Sequence, residues 1–386
     1  MEDADLLAWV ALSRAPGLNV TLVSAALDRL GGPAAILRAS AVGRAHAGIP
    51  ARCGAFLASS SAADGTAERR WLDSPNHHFI PFTDPRFPRP LLALPDCPIA
   101  VYVSGNAAAL ADPQLAIVGS RNPSAQGRET AMAFAEDLSA RGLCITSGLA
   151  EGIDAAAHRG ALRVQGTTMA VLGTGIDIVY PRCNRRLSED IERLGALISG
   201  FPIGTPPRRG NFPRRNSLIA GLCLGTLVVE AARRSGSLIT AGLASSYGRE
   251  VFAIPGSIHS PLSRGCHELI KTGAGLVETA DDILRQLNFS AFFSNDLDAR
   301  PASQWVPRAA PREGRSTASG MDKDHKILLD ALGFEPAEVD ELVARTGFKA
   351  EAVSSMMLIL ELEGHVQAAP GGRYSRVAYR RAGGER

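Results

Sequence analysis

Six short apolar runs punctuate the middle of this chain: 115–118 (LAIV), 143–146 (LCIT), 168–172 (TMAVL), 196–199 (ALIS), 226–230 (TLVVE) and 250–254 (EVFAI). Each is apolar nearly throughout, as expected of strands covered on both faces. Helical patterns separate most of them; within 127–141, Ala131, Phe134, Ala135 and Leu138 fall on one face. This alternation predicts an α/β fold, a doubly wound and mainly parallel sheet whose ligand crevice lies at the carboxyl ends of its strands. Ahead of it, residues 1–72 read as a small helical domain of helix–hairpin–helix or sterile-alpha-motif type. Leu6, Leu7, Val10 and Ala11, then Val23, Ala26, Leu27 and Leu30, recur at helical spacing, with Gly-Pro turns between. Residues 76–106 are proline-rich and extended. Residues 289–320 lack periodicity and read as a linker. The segment 321–380 reads as three helices and a hairpin closed by Pro-Gly-Gly, a C-terminal winged-helix domain.

Composition narrows the class. Of 386 residues, 45% are hydrophobic and 21% charged, the balance of a globular protein. No apolar run approaches the ~18 residues of a membrane helix, and Met1-Glu2-Asp3 opens no signal-peptide pattern, so the cytoplasm is the expected compartment. The six cysteines are scattered without a CxxC and the histidines form no HxxxH, so buried thiols and no metal are expected. Net charge is only +2, but its distribution is uneven: PPRRGNFPRRN (206–216) has four arginines and no carboxylate, and the last segment is also arginine-rich. The third helix of the winged-helix segment instead offers Lys349, Glu351, Ser354, Ser355, Glu361 and Glu363, a poor surface for a phosphate-lined groove.

Five loops are expected on one sheet edge. They are Gly119-Ser120-Arg121, the run Ser147-Gly148 to Asp154, Gly173 to Asp177, Phe212-Pro213-Arg214-Arg215-Asn216, and Glu230 to Thr240 with Ser235, Gly236 and Ser237. Glycines admit close backbone approach, helix starts present unpaired N–H groups, and arginine adds a planar charged fork, which together suit phosphate. Familiar nucleotide chemistry does not fit these loops. The first turn is GSRNPS, not GxGxxG, and no acid ends the second strand, so NAD is not expected. There is no Gly-Lys pair for a Walker A loop and no GxSxG elbow. Asp154 and His158 lie one helical turn apart and read as an intrahelical polar pair or as packing residues, not as a catalytic pair.

Six ordered motifs carry a resemblance: GSR (119–121), SGLAEGIDAAAHRGAL (147–162), AVLGTGIDIVYPRCN (170–184), FPRRNSLIAGL (212–222), EAARRSGSLITA (230–241) and REVFAIPG (249–256). Over residues 76–288 the chain resembles the DNA-processing protein A (DprA, or Smf) family. The resemblance implies an extended Rossmann-like domain that binds single-stranded DNA, usually as a homodimer, protects incoming strands in natural transformation and helps load the RecA recombinase, without a cofactor or enzymatic activity. The chain departs from the family pattern at Gly200, Ser217 and His267, and the serine removes one expected charge. Arg121, Arg214 and Arg215 are the expected phosphate contacts, completed by Ser120, Asn216, Lys271 and loop N–H groups, with Phe212 as the best candidate for base stacking. The competing readings are a nucleoside-monophosphate phosphoribohydrolase, whose PGGxGTxxE loop is missing, and a winged-helix transcription regulator.

Overall fold

The computed structural model describes residues 3–59, 64–289, 323–332, 336–369 and 372–376. It divides into two compact units, residues 1–123 with 130–283, and residues 124–129 with 284–386. The expected linker, from residue 290, lies outside the described residues, as do Pro370 and Gly371 of the hairpin turn and the terminal arginines.

In the first unit, six helices come first: α1 (Asp3–Arg14), α2 (Val20–Leu30), α3 (Pro33–Arg38), α4 (Ala41–His46), α5 (Ala51–Leu57) and α6 (Thr66–Leu72). Nine strands follow: β1 (His77–Pro81), β2 (Ala100–Gly105), β3 (Gln114–Val118), β4 (Cys144–Ser147), β5 (Thr168–Val171), β6 (Ala196–Ser199), β7 (Gly225–Val228), β8 (Glu250–Ala253) and β9 (Gly275–Leu276). Helices α7 (Ala125–Ala140), α8 (Ile153–Arg163), α9 (Arg185–Leu194), α10 (Asn211–Leu222), α11 (Gly236–Ser246), α12 (Arg264–Lys271) and α13 (Ala280–Gln286) connect or follow them, residues 125–129 of α7 and 284–286 of α13 being counted with the second unit.

All six expected strands are present. They form one sheet in the order β1-β2-β6-β5-β4-β3-β7-β8-β9, parallel from β6 to β9. The proline-rich stretch adds β1 and β2, a hairpin-like pair that joins the sheet antiparallel to β6. The strand order reverses at β3: the chain moves outward through β4, β5 and β6, then returns to place β7 on the other side of β3. The loops after β3 and β7 therefore diverge, and the crevice between them is where ligands of such sheets bind.

Alternation along β5 assigns its residues to opposite faces. Ala170 packs in the same core as the N-terminal helices, with Trp9, Val10, Leu12 and Ile36, whereas Met169 and Val171 join the other core with Ile219, Val228 and Ala253. The helical segment is thus continuous with one face of the sheet. A buried ion pair helps hold it there: Glu68 accepts two bonds from Arg14 (2.7 and 2.9 Å) and one from the Tyr102 hydroxyl on β2 (3.0 Å). Burial, then the Glu68 charge, pushes the Tyr102 phenol well above its ordinary range.

The second unit holds α14 (Lys323–Leu332), β10 (Ala337–Glu338), α15 (Val339–Thr346), α16 (Ala350–Leu362), β11 (Val366–Ala369) and β12 (Arg373–Arg376). Its sheet has the order β10-β12-β11, and Leu328, Leu342, Val353, Met357, Leu360 and Val366 form its core. Three helices with a β-hairpin define a winged helix. Glu351, Ser354, Ser355 and Glu363 are exposed on or just after α16, as read from the sequence, and so are the apolar Leu358, Ile359 and Leu362.

Candidate functional site

A cavity of about 380 Å³ opens at the reversal point. Its walls come from four of the five loops: Gly119 and Arg121 after β3, Ala150 and Asp154 after β4, Phe212, Pro213, Arg215 and Asn216 at the start of α10 with Arg209 just before it, and Ser235, Gly236, Ser237 and Thr240 at the start of α11. The loops are laced together. Ser120 N–H donates to the Glu230 carbonyl (2.7 Å), and Ile153 N–H donates to the Ser120 carbonyl (3.1 Å). Ser120 Oγ accepts from Asn122 N–H (3.1 Å), which closes the turn that displays Arg121. Gly152 makes this packing possible: its φ is +82°, and a Cβ there would run into the Ser120 and Arg121 carbonyls.

Two helices, α10 and α11, begin at this cavity, and neither has an acidic residue in its first turn. Ser235 caps α11, accepting from Ser237 N–H at 3.3 Å. Helix starts carry partial positive charge and favour anions. Three arginines, Arg121, Arg209 and Arg215, also line the cavity, against the single carboxylate of Asp154. The lining thus combines positive charge with an aromatic wall. Phe212 lies under two guanidiniums, with Arg121 5.8 Å and Arg215 6.0 Å from its ring centroid. Gly173, from the third loop, backs this ring, where a Cβ would sit 3.0 Å from Cδ1.

Arg215, one of the expected phosphate contacts, lines the cavity but is buried in its floor. It is 5% exposed. Its Nη1 donates to the carbonyl of Gly148 and to that of Val171 (2.9 Å), and its Nε donates to Asn216 Oδ1 (3.0 Å). Its guanidinium is therefore largely committed to the cavity floor. Asp154 is buried beside it and accepts N–H groups of Gly148 (3.1 Å) and Ala150 (3.3 Å). Burial raises the Asp154 carboxyl above its ordinary range, opposed chiefly by the Arg215 charge. Burial likewise lowers the Arg215 guanidinium, and Asp154 opposes that shift. This pair organises the floor.

The other expected residues divide. Arg121 is exposed at the cavity. Arg214 is exposed too, but its guanidinium lies over Phe201, 5.4 Å from the ring centroid, outside the cavity lining. Asn216 lines the cavity; because its Oδ1 faces Arg215, its amide NH2 is the group it offers a ligand. Ser235, Gly236, Ser237 and Thr240 line the cavity. Ser147 does not reach it, being buried with its hydroxyl donating to the Ile117 carbonyl (2.7 Å). Gly148 is buried against Arg215. Lys271, at the end of α12, is not among the lining residues.

Ser217, where a charge was expected to be lost, is 2% exposed, bonded to Asp96 (2.6 Å) and the Tyr247 hydroxyl (2.7 Å), and not among the lining residues. Arg209 went unrecognised as a lining residue, although the acid-free run around it was the available signal. Asp154 and His158 do not bond each other. His158 Nδ1 lies 2.7 Å from Thr168 Oγ1, whose proton goes to the Ile145 carbonyl, so Nδ1 carries the imidazole proton. Its Nε2 finds no hydrogen-bond partner among the described residues. None of the six cysteines is bridged; five are buried, whereas Cys183 is exposed, 3.3 Å from Glu151. Among the described residues no cluster could hold a metal, and no helix is long and apolar enough to cross a membrane.

Sheet order and crevice define a Rossmann-like protein with an arginine-lined cavity at its reversal point, carried on the same chain as a winged helix. The chain belongs to the DNA recombination-mediator protein A family, whose model matches residues 78–288; the DprA winged helix domain matches residues 308–372. It is 45% identical to Protein Smf of Escherichia coli K12 over 305 residues, 78% of each chain. The X-ray structure of DNA processing protein A from Streptococcus pneumoniae superposes with a TM-score of 0.63 at 34% identity, covering 74% of this chain and 98% of that one. DNA processing protein A from Helicobacter pylori, solved for its single-stranded DNA binding mode, superposes with a TM-score of 0.51 at 26% identity, covering 55% of this chain and 96% of that one.

Proposed function

We propose that the cavity binds the backbone of single-stranded DNA, and that the protein is a recombination mediator of the cytoplasm, not an enzyme. The observation that carries this reading is the exposed Arg121 at a cavity flanked by two helix starts and Arg209 and walled by Phe212. Phosphate is held by charge and by N–H groups, and an unpaired base can stack on the ring, a combination that tolerates any sequence. The one lining carboxylate, Asp154, is buried and holds loop N–H groups, which leaves it unsuited to nucleotide hydrolysis. Protection of incoming strands, transfer to RecA and assembly as a homodimer belong to the same proposal, supported by family membership.

The test is equilibrium binding of the whole chain to single- and double-stranded DNA of matched sequence. Preference for single strands, with affinity that falls with salt, is the expected result. Preference for duplex would transfer the function to the winged helix, and release of free base from nucleotides would make the cavity catalytic.

A further inference from the structure

Positive charge is also concentrated far from the cavity, in the helical segment. Between Asp28 and Asp64 no carboxylate occurs, whereas arginine occurs four times, at Arg29, Arg38, Arg44 and Arg52. The fold gathers them on the end of α2, on α3 and α4, and on the start of α5. Arg29 Nη1 donates to the His46 carbonyl at the end of α4 (2.7 Å). Arg44 Nη1 donates to the Leu37 carbonyl, beside Arg38 (3.1 Å). Arg52 lies across the turn at Gly17, where a Cβ would meet its guanidinium. Cys53 Sγ donates to the Pro16 carbonyl (3.3 Å) and fixes α5 against that turn.

None of the four arginines is in an ion pair among the described residues; the ion pairs of this segment are Arg14–Glu68 and Arg69–Asp3. Elsewhere on the same unit several arginines are matched locally, Arg141 by Asp137, Arg163 by Glu136 and Arg193 by Asp190. An ordinary solvated face intersperses its charges in that way. Arg44 makes the contrast sharpest. It is 5% exposed, and its Nε has no acceptor among the described residues. A buried cation without a counter-charge is costly, and an anion held by the exposed arginines around it would supply that charge.

The kind of anion follows from what this surface lacks. Phe56 is the one phenylalanine, tyrosine or tryptophan in residues 29–63, and it packs against the core. Unpaired bases therefore have no ring to stack on, and phosphate charge is the available handle. We propose that this arginine surface binds the phosphate backbone of duplex DNA, at a site separate from the cavity, whose lining includes none of the four. The planar guanidinium fork suits phosphate, and a backbone contact reads no sequence. With charge alone to hold it, a duplex binds here more weakly than a single strand binds in the cavity, so the preference for single strands is kept.

Fluorescence anisotropy of the whole chain with a labelled blunt duplex and, in parallel, with labelled oligothymidine, each over a salt titration, tests the site. Arg38 and Arg52 are exposed, so the double change Arg38→Ala and Arg52→Ala should melt as the parent does. On duplex its salt slope is expected to flatten by about 1.8, two phosphates at ~0.9 each, while the oligothymidine curve stays parental. The changes Arg38→Lys and Arg52→Lys keep the charge and should keep the parental slope. A parent that does not bind duplex, or a parental duplex slope in the alanine variant, overturns the proposal. An equal loss on oligothymidine also overturns it, by joining these arginines to the strand in the cavity. So does a flattened slope in the lysine variant, since charge would then not be what binds. Vesicles of anionic phospholipid that bind the parent but not the alanine variant, with the duplex slope still parental, would assign the surface to a membrane instead.

Discussion

Arg121 and Arg215 are interchangeable as charges, yet the structure gives them different work, and alanine at each should separate the two. Arg121 is exposed, and its contact with the described fold is a guanidinium 5.8 Å from the Phe212 centroid. An exposed cation–π contact contributes ~0.5–1 kcal/mol, so Arg121→Ala should lower the melting temperature by no more than about 4 °C. Its loss from DNA binding should be larger. A charge-assisted contact contributes ~1.5–3 kcal/mol, or roughly ten- to a hundredfold in affinity, and the salt slope should flatten by about 0.7. Arg215→Ala should behave in the opposite way. It strips donors from the Gly148 and Val171 carbonyls and removes the cation beside buried Asp154. Breaking such a buried arrangement costs ~3–5 kcal/mol, a fall of roughly 6–20 °C in melting temperature. Thermal melts by circular dichroism and anisotropy over a salt titration read both quantities. An Arg215→Ala protein that melts like the parent but loses ~0.7 of slope would make Arg215 a phosphate ligand and refute the division.

Three further outcomes follow from named contacts. Burial, then the Arg215 and Arg159 charges, pushes the His158 imidazole from 6.5 down to about 3, so below pH 6.5 the unfolded chain takes up a proton that the folded chain refuses. Stability should therefore fall by about 2 kcal/mol between pH 7.5 and 5 from this group, a fall that denaturant titrations should find missing in His158→Gln. Glu68→Ala should cost ~3 kcal/mol by stranding Arg14 and Tyr102; a melting temperature within 2 °C of the parent would contradict a structural role for the pair. Gly152→Ala should cost ~1–3 kcal/mol and weaken DNA binding in the same anisotropy assay, because a Cβ there displaces the turn that holds Arg121.

The strands after residue 114 were legible because a buried parallel strand must be apolar on both faces, and β3 to β7 are buried throughout. Strands β1 and β2 were read only as extended chain: prolines crowd the stretch, and pairing with β6 depends on a partner ninety residues away. The arginine-bearing loops were legible individually, since helix starts and small-residue turns have local signatures. The burial of Arg215 also has a local signature. Arg215, Leu218, Ile219 and Leu222 stand at i, i+3, i+4 and i+7 along α10, the spacing of a buried stripe, and all four are buried. Other assignments could not be made locally. Ser217 faces Asp96 across 121 residues of chain, and Tyr180 meets Phe212 only because the loop after β5 and the start of α10 lie at one sheet edge. Local pattern fixes where strands, turns and charges occur, because backbone hydrogen bonding and burial repeat over a few residues. Which charge faces a ligand and which supports the floor depends on strand order and on neighbours distant in sequence, so it emerges only when the sheet has closed around the reversal at β3.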